Sequence, residues 1–128
     1  MSVLGVGVDL VEVARVRTML AEKGAHVFDR LLTPGEAEYC RSKADPAESV
    51  AVRLAAKEAV YKALQGSPEA RGIGWREIEV VRAADGRPDV VLAGLAAQRA
   101  RELGVSRIFV SLSHTHAVAV ATAVLEAL

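Results

Sequence analysis

The longest helical stretch of the sequence is bounded at both ends by residues that start and stop helices. Asp45-Pro46-Ala47-Glu48 places an aspartate cap before a proline at the first helical position, with a glutamate three residues after the cap. The helical pattern continues to about Gln65, and Gly66 then ends it. Hydrophobic residues make up 52% of the chain but aromatic residues only 4%. Much of the core is therefore expected to consist of Ala, Val and Leu.

Shorter elements surround this helix. Residues 3–9 form a nearly continuous apolar run, which predicts a strand buried on both faces. A helix is predicted over 12–23, ended by Gly24, and another begins at Thr33, which forms a capping box with Glu36. The remaining predictions are strands at 78–82 and 88–92 joined by an Asp-Gly turn, a helix at 96–103, and strands at 107–113 and 117–125.

These elements predict one α+β domain over residues 1–128, in the order strand, three helices, two strands, helix, two strands. Sixteen basic and sixteen acidic residues cancel, which argues against a generally basic nucleic-acid-binding surface but allows a local basic patch. No run approaches the roughly 20 apolar residues of a membrane helix, and no signal peptide is recognisable, so we expect a cytoplasmic protein. The single Cys40 excludes an internal disulfide and is expected to be buried and unreactive.

Three places depart from what packing alone requires. Asp9 ends the first strand between apolar neighbours, where a carboxylate costs free energy unless a cation or donors meet it. It could equally serve as the N-cap of the following helix. Glu58 and Lys62 are four residues apart on one helical face, as in an ordinary solvated ion pair. Ser113 and His114 lie where a strand enters a turn, where they are either solvated or able to donate to a phosphate.

Taken together, these residues suggest a Mg²⁺ site that acts on a diphosphate. Two carboxylates suit Mg²⁺, which takes oxygen ligands and leaves room for water and phosphate oxygens, and a lysine is a compact phosphate partner. Zn²⁺ fits poorly, because no histidines and carboxylates fall at its ligand spacing, and His114 and His116 are expected to point apart. Arg53 lies about 140° around the helix from Glu58 and does not obviously join that face.

The chain resembles a known family, the holo-acyl-carrier-protein synthases, which are the small bacterial 4′-phosphopantetheinyl transferases. The order and spacing of the matching segments and the total length agree, so the resemblance covers essentially the whole chain. Residues 67–75 depart from it, because the family's Gly-Thr-Gly turn is absent there and the coenzyme A contacts of this loop stay open. The matching segments are Gly5-Val6-Gly7-Val8-Asp9, Arg53-Leu54-Ala55-Ala56-Lys57-Glu58-Ala59 with Lys62, Ser111-Leu112-Ser113-His114, and Gly86-Arg87-Pro88 in place of Gly-Lys-Pro.

The resemblance implies a transferase of fatty acid biosynthesis. It would move 4′-phosphopantetheine from coenzyme A to a serine of apo acyl carrier protein and release 3′,5′-ADP. Asp9 and Glu58 would bind Mg²⁺, and Lys62 would contact coenzyme A and stabilise or protonate the leaving phosphate. The carrier could belong to fatty-acid or polyketide synthesis, and acceptance of acylated coenzyme A is open.

Assembly and partner contacts follow from the same resemblance. The family's site lies between subunits of a homotrimer, so Arg53 would serve a neighbouring subunit and contact coenzyme A together with Ser113 and His114. Because acyl carrier proteins are acidic, the surface that binds them should be basic. The residues expected to form it are Arg15 and Arg17, with apolar contacts from Met19 and Phe28.

Two other functions compete with this one. A trimeric module that binds nucleotides or a carrier protein without turnover would share the fold, but it has no need of both Asp9 and Glu58. A different Mg²⁺-dependent phosphotransferase or nucleotide hydrolase is disfavoured, because no Walker-type glycine-rich loop is present.

Overall fold

The computed structural model describes residues 1–128 and contains five strands and five α-helices. Two short 3₁₀ turns, at Glu69–Gly72 and Trp75–Glu77, precede the second strand. The α+β class is as predicted. In chain order the elements are β1 (Ser2–Glu12), α1 (Val13–Lys23), α2 (Ala25–Leu31), α3 (Pro34–Arg41), α4 (Pro46–Leu64), β2 (Ile78–Arg82), β3 (Pro88–Leu92), α5 (Gly94–Leu103), β4 (Arg107–His114) and β5 (Val118–Ala127).

The element order predicted from the sequence has one helix fewer than the structure. Gly24, with a φ of 53°, turns the chain between α1 and α2 instead of ending the helical region. α2 has only seven residues, of which Val27 alone is buried, so it shows no helical period in the sequence. Four helices rather than three therefore separate β1 from β2.

The helix starts differ in how they are capped. Thr33 forms the predicted capping box, in which its hydroxyl accepts from the Glu36 N–H at 3.3 Å and Glu36 Oε1 accepts from the Thr33 N–H at 2.9 Å. Asp45 makes no such bond at the start of α4 and instead binds the guanidinium of Arg17. Asp45 is thus the N-cap residue of α4, followed by proline as predicted, but its side chain forms no capping bond.

The strands form a three-stranded antiparallel sheet in the order β1-β5-β4 and a separate β2-β3 hairpin. α4 lies across the inner face of the larger sheet, and most of its residues are buried, so it is the centre of the hydrophobic core. Gly5 and Gly7 allow this close contact, because a methyl group at either would collide with the carbonyl oxygens of Ala63 and Ala59. Cys40 is fully buried in the same core, and burial raises the pKa of its thiol.

β1 is not buried on both faces, contrary to the prediction from its composition. Val6 is 66% exposed and Val8 56%, because only the inner face of the strand meets α4 and no element of the chain covers the outer face. The exposed face continues across β5 and β4. Two of its cross-strand rows are Val6-Val124-Phe109 and Val8-Thr122-Ser111. None of the helices combines the length and apolar character that crossing a membrane requires.

Candidate active site

Asp9 lies within β1, with a side chain that is 19% exposed. The strand continues to Glu12, which precedes α1 without forming a side-chain cap, so Asp9 is not the N-cap of that helix. Its Oδ1 accepts a hydrogen bond from Lys62 Nζ at 2.9 Å, and Lys62 also donates to the Val8 carbonyl at 3.1 Å. The lysine that shares a helical face with Glu58 is therefore directed to β1, and the two residues do not form an ordinary helical ion pair.

Glu58 is a carboxylate with no hydrogen bond or ion pair inside the chain. Its partial burial raises the pKa of its carboxyl group, the negative charge of Asp9 raises it further, and Lys62 opposes the shift. A raised pKa means that the ionised form is poorly compensated in this environment. Asp9 and Glu58 thus provide two neighbouring carboxylates whose combined charge a single lysine only partly balances.

These two carboxylates line one end of a groove of about 940 Å³ between β1, α1 and α2. Trp75, the only tryptophan of the chain, closes the groove from the other side and also borders a smaller cavity that Glu58 shares. Besides Asp9 and Glu58, the walls carry the acids Glu12 and Glu22, and they also carry three cations and a histidine. The cations are Arg15, Lys23 and Arg30, with His26 among them.

The donor set fits Mg²⁺. No cluster of three or more His, Cys, Asp or Glu side chains that could hold a metal ion is present. Mg²⁺ is commonly held by one or two carboxylates while waters and substrate phosphates fill its other positions. Asp9 and Glu58 supply those carboxylates, and the uncompensated charge of Glu58 is what a divalent cation would neutralise.

Arg53 lies in a different cavity, of about 550 Å³, between α3, α4 and β2. Its Nη1 donates to Ser49 Oγ at 3.2 Å, and its Nε is buried without a partner. His114 lines the same cavity, whereas Ser113 alternates to the exposed outer face of β4. The structure therefore brings Arg53 and His114 together, and leaves both apart from Asp9.

The histidine that ends β4 and the histidine in the turn after it approach one carboxylate, contrary to the expectation that they point apart. His114 Nδ1 lies 3.4 Å from Glu48 Oε1, and His116 Nδ1 lies 3.5 Å from Glu48 Oε2. His114 is the last residue of β4 and His116 lies in the turn before β5, so the turn and not strand alternation sets the direction of His116.

Of the residues predicted to bind a carrier protein, the structure places Arg15 and Met19 in the groove. Arg17 lies outside it and pairs with Asp45 through two bonds of 3.0 and 3.1 Å. Phe28 lies outside it too, 4.4 Å beneath the Arg41 guanidinium. Sequence reasoning missed Lys23, His26 and Arg30, although they follow Arg15 and Met19 at helical spacings of three and four.

Sequence reasoning also gave no role to Lys57, which is 1% exposed. Its Nζ lies 2.7 Å from Glu36 Oε1 and donates to the carbonyls of Trp75 and Ile78. An isolated lysine in an Ala-rich helix gives no signal of such a network, because its partners lie on α3 and before β2.

The chain matches known proteins over nearly its whole length. The sequence profile of the 4′-phosphopantetheinyl transferase superfamily matches residues 5–121. The holo-[acyl-carrier-protein] synthase of Koribacter versatilis is 44% identical over 124 residues, covering 97% of this chain and 98% of that protein. The corresponding synthase of Geobacter sulfurreducens shows the same identity and the same coverage.

Solved structures agree with this match. The holo-[acyl-carrier-protein] synthase of Neisseria meningitidis superposes with a TM-score of 0.85 at 28% identity, covering 98% of this chain and 99% of that one. A coenzyme A complex of the Chronobacterium ammoniagenes enzyme superposes with a TM-score of 0.82 at 28% identity, covering 100% and 99%. The chain therefore belongs to the 4′-phosphopantetheinyl transferase superfamily, among its holo-[acyl-carrier-protein] synthases.

Proposed function

We propose that this chain transfers 4′-phosphopantetheine from coenzyme A to a serine of apo acyl carrier protein, as a Mg²⁺-dependent cytoplasmic enzyme built from one domain, residues 1–128. The observation that carries the proposal is that Asp9 and Glu58 line one groove while Lys62 contacts Asp9. The solved structures support it, since the similar Bacillus anthracis synthase (TM-score 0.77, 29% identity) is in complex with coenzyme A (3′,5′-ADP).

In this reaction the serine oxygen attacks the β-phosphate of coenzyme A. A serine–phosphate ester bond forms as the serine O–H bond breaks and its proton passes to solvent, the bridging bond of the diphosphate breaks, and 3′,5′-ADP leaves. Lys62 holds its ammonium group beside Asp9 at 2.9 Å and is half exposed, so it can exchange this partner for a phosphate oxygen. There it would stabilise the negative charge that develops on the leaving group or donate a proton to it.

Asp9 and Glu58 would hold the metal. When bound, Mg²⁺ neutralises charge on the diphosphate and orients its oxygens. The pKa of Glu58, raised by burial and by Asp9, supports this assignment, because a carboxylate in that environment gains most from a nearby cation.

The cavity of Arg53 and His114 would bind the part of coenzyme A beyond the diphosphate. Arg53 offers a buried guanidinium with a free Nε, and His114 borders the same space. A guanidinium is a strong phosphate ligand, because its planar donors match the phosphate oxygens. Since this cavity is separate from that of Asp9, coenzyme A would extend between two subunits, and Ser113 would contribute from the outer face of β4.

The exposed face of the larger sheet supports a homotrimer. Val6, Val124 and Phe109 form an apolar row across β1, β5 and β4, and Val8 and Leu10 of β1 would also leave apolar surface in water. Contact with neighbouring subunits would bury it. The apolar character of β1 on both sides, which the sequence shows, is then explained by assembly.

An acidic carrier would dock on the cations of the groove, which lie among the acids Glu12 and Glu22. Arg15 and Met19 lie at the wall of the groove, and Lys23 and Arg30 extend the positive charge away from Asp9. Attraction between these cations and an acidic carrier should speed association and weaken as salt is added. Arg17 and Phe28 would contribute only at the margin of this surface, since each is engaged elsewhere.

The deciding experiment incubates the protein with apo carrier protein, coenzyme A and Mg²⁺, and follows the intact mass of the carrier. We expect the carrier to gain one phosphopantetheine group, and chelation of Mg²⁺ to prevent the gain. If neither a fatty-acid nor a polyketide carrier is modified under any condition, the proposed transfer is wrong.

A second experiment tests the assembly. Analytical ultracentrifugation should give the mass of three chains, and Val8→Asp should reduce it to one chain with loss of transfer. Glu102→Gln, a charge change on α5, provides a control away from this face. A wild-type protein that is monomeric and fully active would contradict the trimer.

A further inference from the structure

Tyr39, at the end of α3, lies at the centre of a group of three cations, of which only Arg53 has a role in the function proposed above. The Arg53 guanidinium is 4.1 Å from the centre of its ring, Lys43 Nζ is 4.4 Å away, and the Arg82 guanidinium is 5.7 Å away. Arg82 Nη2 also donates to the Tyr39 hydroxyl at 3.1 Å. One aromatic side chain thus contacts cations from α4, from β2 and from the segment after α3.

The charges of this group are not balanced by acids of the chain. Arg53, Lys43 and Arg82 form no ion pair with a carboxylate, although Arg53 is only 8% exposed. The nearest acids at the cavity are engaged by other groups, Asp45 by Arg17 and Glu48 by the two histidines. A buried cation without an acid is costly unless an anion meets it. The unpartnered Nε of Arg53 is a donor left for such an anion.

Tyr39 stabilises the three positive charges, which would otherwise repel one another at this distance. The negative face of its ring attracts the cations above it, and its hydroxyl oxygen accepts from Arg82. Arg53 is further held by Ser49, so its guanidinium is fixed between the ring and the serine. The cations are therefore arranged before any ligand arrives, which lowers the entropy cost of binding.

We propose that Tyr39 is a positioning residue for a second phosphate: it orients Arg53, Arg82 and Lys43 to receive the 3′-phosphate monoester of coenzyme A. This inference rests on the proposed function, because it assumes that coenzyme A occupies the cavity. The 3′-phosphate is the charged group of coenzyme A outside the diphosphate, and it carries nearly two negative charges. Tyr39 itself need not touch the substrate, and its effect is on the preference for coenzyme A over dephospho-coenzyme A.

The test compares Tyr39→Leu, Tyr39→Phe and wild type with coenzyme A and with dephospho-coenzyme A. In Tyr39→Leu we expect KM for coenzyme A to rise about tenfold, the size of a lost partly desolvated cation–π contact, while kcat changes little. The values for dephospho-coenzyme A should change less than about twofold. Tyr39→Phe keeps the ring and loses only the bond from Arg82, so its effect should be about threefold.

The ratio of the two coenzymes separates positioning from stability. Both are measured on the same preparation, so a loss of folded protein lowers both equally and leaves their ratio unchanged. Phe28→Leu is a matched control, because it removes a ring that contacts one cation, Arg41, outside this cavity. Whatever it does to carrier binding, the ratio of the coenzymes should stay at the wild-type value.

A loss of equal size with both coenzymes, or no loss with either, would overturn the role of Tyr39. So would a wild-type enzyme that does not distinguish the two coenzymes. If wild type transfers nothing at all, the proposed function fails, and calorimetry with 3′,5′-ADP against 5′-AMP then tests Tyr39 directly. A preference for 3′,5′-ADP that Tyr39→Leu removes would support the inference, and equal binding of the two nucleotides would refute it.

Discussion

Two lysines five residues apart on α4 show how one residue type takes two roles. Lys57 is 1% exposed, and its ammonium group contacts Glu36, the Trp75 carbonyl and the Ile78 carbonyl. The side chain of Lys62 is 50% exposed, and its ammonium group contacts Asp9 and the Val8 carbonyl at the end of the groove. Both form an ion pair across to another element, yet only one can meet a substrate.

The difference lies in solvent access and in the use of donors. A lysine has three N–H donors, and Lys57 has an acceptor for each of them, so nothing is left for a ligand. Burial lowers the pKa of Lys57 and Glu36 opposes the shift, as expected of a pair that exists to hold elements together. Lys62 keeps partners that water or phosphate can replace. An exchangeable pair beside a carboxylate is suited to catalysis, and a closed pair is suited to support.

The largest effect should follow from removing the cation of the buried Lys57–Glu36 pair. Lys57→Met leaves Glu36 buried without its cation, which should lower the free energy of unfolding by about 3–5 kcal/mol. Urea denaturation of the metal-free protein measures this. Lys57→Met combined with Glu36→Gln should recover part of the loss, since no buried charge then remains. A single variant as stable as wild type would show that the pair contributes nothing.

Glu58, the carboxylate beside the Lys62–Asp9 pair, should affect the reaction rate and not the folding of the chain. Glu58→Gln should lower kcat/KM about 1,000-fold, because several kcal/mol of charge stabilisation is lost with the metal ligand. The carrier-mass assay at saturating Mg²⁺ measures the rate, and circular dichroism checks the fold. Near-normal turnover would exclude Glu58 as a metal ligand.

Substitution of the half-exposed Lys62 should have a somewhat smaller effect on the reaction rate. Lys62→Ala should reduce kcat about 100-fold, the usual size for loss of a positioned proton donor, with a smaller change in coenzyme A affinity. Steady-state kinetics at varied coenzyme A separate the two quantities. If KM rises strongly and kcat does not change, Lys62 binds substrate without acting on the leaving group.

The smallest effect concerns pH and stability. The pKa of Glu58 is raised in the folded chain above the unfolded value of about 4.3, so the folded state binds more protons between these two values. Stability should therefore fall as pH rises through this window, and Glu58→Gln should remove that loss. At pH 7 without metal we expect the variant to exceed wild type by less than about 1 kcal/mol, since the group is only half buried.

Thermal unfolding at pH 4 and pH 7 measures the difference, which should vanish at the lower pH. Adding Mg²⁺ should then stabilise wild type more than Glu58→Gln, because only wild type retains both ligands. A variant that is less stable than wild type at pH 7 without metal would contradict this account of Glu58.

Sequence reasoning reached the parts of this molecule that local chemistry determines. The strands over 78–82 and 88–92 and the capping box of Thr33 follow from turn and cap residues that act within a few positions, and the structure confirms them. The grouping of Asp9 with Glu58 could be suggested because a carboxylate in an apolar strand needs a partner from outside its own segment. The Lys62–Asp9 pair could not, since helical spacing relates Lys62 only to Glu58.

What sequence reasoning missed depends on distant elements. The short α2 has one buried residue and no period, and the exposed face of β1 depends on which elements pack against the sheet. Tyr39 attracted no interest, because its three cations come from separate parts of the chain. Such clusters are created by tertiary structure, and no spacing in the sequence records them.

Gly5 and Gly7 of β1 influence the geometry of the proposed active site, although neither is proposed to contact substrate. Where Gly7 faces α4, the helix rests on bare backbone, and this contact fixes how far Glu58 and Lys62 stand from Asp9. An added methyl group would push the helix outward between its two active side chains. The distance between the proposed metal ligands Asp9 and Glu58 therefore depends on the absence of a side chain at Gly7. Gly7→Ala would therefore disturb the proposed active site through the packing of α4 on β1.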